Sequence, residues 1–122
     1  MIVHFSKRTV EPGIAALEIK GSIHAGAECT RLELEVDKII AANETRVIFD
    51  MAGVTHIDSA AIGTIVRCLT KLKRAGGKLR IATAQPMIIY SLKMTKLDTL
   101  IEMFPTVDQA AEGFTAPGAS AG

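Results

Sequence analysis

No stretch of this 122-residue chain approaches the roughly 18 uncharged apolar residues that a bilayer-spanning helix requires. Residues 1–5 are too short an apolar run for a secretory signal, and Lys7 and Arg8 follow that run instead of preceding it. The expectation is a soluble protein of the cytoplasm with no direct membrane insertion. Charge of one sign is equally lacking: 14 Lys plus Arg against 13 Asp plus Glu leave a formal net charge of +1. A dedicated nucleic-acid binder would carry a clear basic excess, so nucleic acid is not expected as a partner. The densest basic stretch (Arg67, Lys71, Lys73, Arg74, Lys78, Arg80) is interleaved with leucines and reads as the solvated face of a helix and strand. The two cysteines, Cys29 and Cys68, form no CxxC and no Cys/His cluster, so they read as buried free thiols. His4, His24 and His56 lack the spacing of a helical ligand pair. No metal and no cofactor are expected. There is no phosphate loop, no GxGxxG and no GxSxG elbow, and the carboxylates form no inward pair, so an enzyme is not expected.

What is present is enough for one domain. Apolar residues make up 48% of the chain, and at this length roughly 70% of the unfolded surface disappears on folding. Residues 2–10 and 14–23 read as strands joined at Glu11-Pro12-Gly13, where Pro and Gly suit the central positions of a type II turn. In the second of them Leu17, Ile19 and Ala15 alternate with Glu18 and Lys20, the period of two of a half-buried strand. The period then lengthens: Cys29, Leu32, Val36, Ile39 and Ile40 mark one stripe of a helix over 27–42, with Asn43 as its stop. Residues 46–51 contain a continuous apolar run, the signature of a strand covered on both faces. A helix over 60–75 turns Ile62, Ile65, Val66, Leu69 and Leu72 inward and ends at Gly76-Gly77. A strand at 79–82, a helix at 87–94 after Pro86, a strand at 100–104 and a helix at 107–114 follow. Residues 115–122 are only Ala, Gly, Pro, Ser and Thr, and are expected to form a disordered tail.

The order ββαβαβαβα predicts an α/β fold: a mixed, mostly parallel sheet of about five strands flanked by about four helices, in one domain over 1–114. Within it the stretch Val54-Thr55-His56-Ile57-Asp58-Ser59-Ala60-Ala61-Ile62-Gly63 links the buried strand to the second helix. Asp58 or Ser59 would cap that helix by accepting orphan backbone N–H bonds. The same N–H groups and the helix dipole favour a phosphate there, and Ala60 and Ala61 leave the approach to the Ser59 hydroxyl open.

The stretch from Arg46 to Gly77, in its frame from Ile14 to Phe114, resembles the STAS domain, and in particular the bacterial anti-sigma factor antagonists. The resemblance is carried by the strand Val47-Ile48-Phe49-Asp50, the spacer over 51–57, the motif Asp58-Ser59-Ala60-Ala61-Ile62-Gly63, the helix end Ala75-Gly76-Gly77 and the strand Lys78-Leu79-Arg80-Ile81. It implies partner switching. The unphosphorylated antagonist would bind an anti-sigma factor that is also a serine protein kinase. Phosphorylation of Ser59 would release it, with a phosphatase reversing the change. The partner surface implied comprises Asp58, Ser59, Ala60, Ala61, Ile62, His24 and His56, on a monomer or weak homodimer. The chain departs from the family's habit at three places: Ala61 stands for a Gly, His24 for an Asp after Gly21-Ser22-Ile23, and Lys96 for a Gly after the third helix. A second implied role is a non-switching STAS scaffold subunit of a signalling complex or of a lipid or anion transport system.

Overall fold

Arg46–Ile57 is the middle strand of a five-stranded sheet, and its neighbours are arranged by the need to cover it on both faces. The computed structural model describes residues 3–115, with the side chain of Thr115 left aside. In chain order the strands are β1 (His4–Glu11), β2 (Ile14–Ile23), β3 (Arg46–Ile57), β4 (Lys78–Ala82) and β5 (Glu102–Phe104). The helices are α1 (Ala27–Ala41), α2 (Ser59–Arg74), α3 (Pro86–Met94) and α4 (Val107–Thr115), with a 3-10 turn at Leu97–Thr99. The spatial order is β1-β2-β3-β4-β5. The β1–β2 hairpin is antiparallel, and the other three pairings are parallel. This is the expected α/β architecture. The tail expected over 115–122 lies outside the described residues, except that Thr115 closes α4.

Alternation along the strands divides the core into two. Ala15, Leu17, Ile19, Val47 and Phe49 point to one face, where α1, α2 and α3 contribute Leu32, Val36, Ile65, Cys68, Leu72, Ile88 and Leu92. Ile14, Ala16, Ile48 and Ala82 point to the other, where α4 lays down Val107, Ala110, Ala111 and Phe114. Both cysteines are buried free thiols, and burial pushes the Cys68 thiol up to about 12. The α1–α2 pair is laced outside by Arg67–Glu33 and Lys71–Asp37.

The structure corrects the sequence reading at three places. The apolar run was expected to end at residue 51, but β3 continues to Ile57 because β2 runs beside it as far as the Ile23–Ile57 pairing. The last strand begins at Glu102, since Leu97–Thr99 take a 3-10 turn first. Arg80, expected on a solvated face, is 2% exposed. Its guanidinium lies under α4, 4.1 Å from the Phe114 ring centroid, donates to the Ala110 carbonyl at 3.0 Å and pairs with Glu102 at 3.1 Å. A Cβ on Gly113 would meet that guanidinium, so any larger residue there would have to displace Arg80 from beneath α4. Glu44, unremarked in the sequence, is buried, and accepts from the Thr9 hydroxyl at 2.6 Å while pairing with Lys7.

Helix ends follow local rules. Asn43 takes the left-handed conformation (φ 62°) just past α1, and Gly76 does so (φ 82°) just past α2. Gly77 is required for a different reason, because a Cβ there would overlap the Thr45 carbonyl. Lys96 is left-handed as well (φ 61°), although a Cβ-bearing residue resists it. Lys96→Gly is therefore expected to stabilise the fold by about 1 kcal/mol. The readout is a higher urea midpoint at unchanged slope, whereas an unchanged or lower midpoint would show the backbone there to be unstrained.

Candidate functional site

Parallel pairing places the ends of β2 and β3 side by side, so the residues after Ile23 and after Ile57 emerge together. Asp58 exploits this. Its backbone is extended (φ −107°, ψ −178°), as an N-cap residue should be, and its N–H donates to the Ile23 carbonyl at 3.3 Å. Its carboxylate then serves two elements. Oδ1 accepts the Ala61 N–H at 2.8 Å in the first turn of α2, and Oδ2 accepts the Ala25 N–H at 2.9 Å in the β2–α1 loop. The His24 ring stands over the same oxygen, Nδ1 to Oδ2 3.7 Å. The Ala61 N–H, then the Ala25 N–H, then a protonated His24 hold the Asp58 carboxyl below its ordinary value.

With Asp58 as the cap, Ser59 is free of that task. Ser59 is exposed at the first position of α2, and its hydroxyl engages no hydrogen bond among the described residues. Ala60 and Ile62 are half-buried against the core. Ala61 is fully buried, so it contributes its N–H to the site and its methyl to the interior. Helical spacing puts Ser59 and Gly63 on one outward face, where a Cβ on Gly63 would meet only the end of Arg67 at 3.7 Å. His56 belongs to a neighbouring group: its Nδ1 lies 3.5 Å from the Ser22 hydroxyl, which in turn lies 3.1 Å from the Thr55 hydroxyl. The structure thus joins His24, Asp58 and Ser59 and sets His56 apart with Ser22.

Asp50, at the middle of β3, is engaged elsewhere, accepting from the Thr83 hydroxyl at 2.5 Å and from the Ala52 N–H at 3.2 Å. Asp50, His56 and Asp58 each have separate partners. Among the described residues no group of three His, Cys, Asp or Glu could hold a metal ion, and no helix is long and apolar enough to cross a membrane. The Ala25 N–H was missed by sequence reasoning, and no residue-type signal could have revealed a backbone donor 33 positions away from Asp58.

The model of the STAS domain family matches residues 7–110. A Thermotoga maritima protein whose name marks it as a candidate anti-sigma factor antagonist is 24% identical over 76 residues, 62% of this chain and 67% of that protein. A crystal structure of such a protein from Thermotoga maritima superposes with a TM-score of 0.80 at 20% identity, over 88% of this chain and 92% of that one. The phosphorylated form of the Bacillus cell fate determinant SpoIIAA superposes with a TM-score of 0.70 at 14% identity, over 89% and 97%.

The double acceptance by Asp58 carries a pH signature. A carboxyl whose folded value is depressed stabilises the fold above its unfolded value, and that contribution is lost as pH falls through the folded one. Wild type should thus exceed Asp58→Asn in thermal midpoint above about pH 4, and the gap should close as the pH drops toward 2. A gap that stays constant over that range would show that the charge on Asp58 contributes nothing.

Proposed function

The chain belongs to the STAS domain family, and from that premise we propose that it is an anti-sigma factor antagonist controlled at Ser59. The observation that carries the reading is the division of labour at the start of α2: Asp58 performs the capping, and the Ser59 hydroxyl is exposed and unengaged. The related proteins named as anti-sigma factor antagonists, and the phosphorylated form of SpoIIAA with the same fold, support it.

Unphosphorylated, the protein binds an anti-sigma factor that is also a serine protein kinase. The docking face runs along the outward side of α2 from Ser59 through Ile62 and Gly63, with Ala60 and Asp58 at its head and His24 and His56 beside it. The kinase transfers the γ-phosphoryl group of ATP to Ser59 Oγ. The Oγ–P bond forms, the bond to the ADP oxygen breaks, and the hydroxyl proton leaves. Asp58 is a poor acceptor for that proton, because both its oxygens are committed to backbone N–H groups that keep its carboxyl ionised. The base therefore comes from the kinase.

The product adds about −1.5 to −2 charges beside Asp58. The α2 N–H groups offset that charge locally, so the helix is kept. A partner that buried Ser59 would now have to desolvate a dianion, and binding is lost until a phosphatase removes it. A permanent, unswitched scaffold role is the second reading. It is favoured by His24, which occupies a place that is acidic in the proteins this chain resembles and so alters the surface a kinase would read.

Two tests separate these readings. Incubation with the cognate kinase and ATP is expected to add one phosphate, mapped by mass spectrometry to Ser59, and Ser59→Asp is expected to weaken partner binding at least tenfold. No phosphate, or equal affinity of Ser59→Asp, sinks the switch. Gly63→Ala gains helix propensity of up to about 1 kcal/mol and meets no steric block within the chain. It should keep or raise the thermal midpoint while weakening the partner complex, and unchanged binding would remove that face of α2 from the interface.

A further inference from the structure

A groove of about 830 Å³ opens between α3 and the chain at the ends of β4 and β5, and shares no residue with the Asp58–Ser59 site. Its size lies in the range of small-molecule sites. It is bounded by the chain just past the middle of β3 and just past the ends of the parallel strands β4 and β5, the side of an α/β sheet where ligands characteristically bind. Ala52, Ala84, Ile89, Met103, Phe104 and Pro105 supply an apolar lining. The polar groups are three: Thr83, Lys93 and Asp98. Thr83 Oγ1 is already spent on Asp50 at 2.5 Å.

Two features set this groove apart from a mere gap in packing. Thr83, a β-branched residue, is held in the left-handed region (φ 58°) where it turns the chain out of β4, fixed by its bond to Asp50 and by its N–H to the Phe104 carbonyl at 3.0 Å. Such a conformation persists only where the surroundings over-determine it, so the groove wall is rigid and formed in advance. Lys93 is the second feature. It lies on the α3 side beside Ile89, one turn away, and its side chain makes no ion pair or hydrogen bond among the described residues. Its stem extends the apolar lining and its ammonium group is left for the mouth. The Asp98 carboxylate also lacks a partner among the described residues, but it is an exposed, short side chain that adds nothing to the apolar wall. Lys93 is the one cation that lines the groove and Asp98 the one anion.

We propose that this groove binds a small, soluble amphipathic organic anion: an apolar chain or ring in the groove, with one carboxylate or similar acid group paired to Lys93. Asp98 opposes that acid group from across the rim and keeps the affinity modest. The inference is independent of any role for Ser59.

The probe is decanoate, kept below its micelle concentration and titrated into the isotope-labelled full chain while amide resonances are followed. Saturable shifts are expected at Ala52, Thr83, Ile89, Lys93 and Met103, with none at Asp58–Gly63. The two charged rim residues should act with opposite sign. Lys93→Gln should weaken binding about threefold, and Asp98→Asn should tighten it about twofold, the scale of exposed charge pairs. Decyltrimethylammonium and decyl glucoside, with the same chain and a cationic or neutral head, should bind more weakly than decanoate. The proposal is overturned by absent or non-saturable shifts, by both variants moving the affinity in one direction, or by equal binding of the three heads. It is also overturned if the chain binds anionic lipid vesicles and not monomeric decanoate, which would make the groove part of a membrane contact.

Discussion

The Asp58 carboxylate holds two backbone N–H groups from elements that have no covalent reason to meet, Ala61 in α2 and Ala25 in the β2–α1 loop. Both bonds are to an ionised acceptor, the stronger class of hydrogen bond. Both are possible only because β2 and β3 run parallel and end at the same level, Ile23 against Ile57. Remove the carboxylate and the first turn of α2 loses its cap, the loop carrying His24 loses its anchor, and Ser59 becomes the next available capping group. The exposed, unengaged serine is therefore a consequence of the residue before it. A phosphoacceptor that also capped its helix would couple modification to local unfolding; under the proposed role of Ser59, this arrangement would separate the two.

The same parallel topology explains the other end of the molecule. Strands buried on both faces need two layers of cover, and here the layers are unequal: three helices on one side and the nine-residue α4 on the other. One short helix cannot hide the whole second face. It covers Ile14, Ala16, Ile48 and Ala82 and is pinned by Arg80, whose buried guanidinium is tolerated because Ala110, Glu102 and two phenylalanine rings surround it. On the α3 side, past the ends of β4 and β5, lies the groove edged by Thr83 and Lys93.

Much of the fold was legible because it rests on short-range patterns. The alternation of Leu17 and Ile19 with Glu18 and Lys20, the run Val47-Ile48-Phe49 and the Gly76-Gly77 stop each state one local fact, and each agrees with the element found there. What was not legible depends on partners distant in sequence. Residues 52–57 are too mixed to announce a strand and form one because β2 lies alongside. Arg80 reads as a surface residue until α4, thirty positions on, is laid over it. At the site, residue types alone left Asp58 and Ser59 as equal capping candidates, and the resemblance marked the serine without saying what would hold it free. Thr83 and Lys93 carry no pattern at all, since a left-handed threonine and a partnerless lysine are properties of the folded chain.

The account turns on the claim that Asp58, and not Ser59, holds the start of α2, so that a phosphate on Ser59 changes the surface and not the fold. Comparison of amide NMR spectra of the chain before and after stoichiometric phosphorylation of Ser59 tests this most directly. The account predicts shifts confined to the β2–α1 loop around His24–Gly26 and to the first turn of α2, with the sheet and the remaining helices unmoved. Loss of helical shifts along α2, or changes spread through β3 and β4, would contradict it.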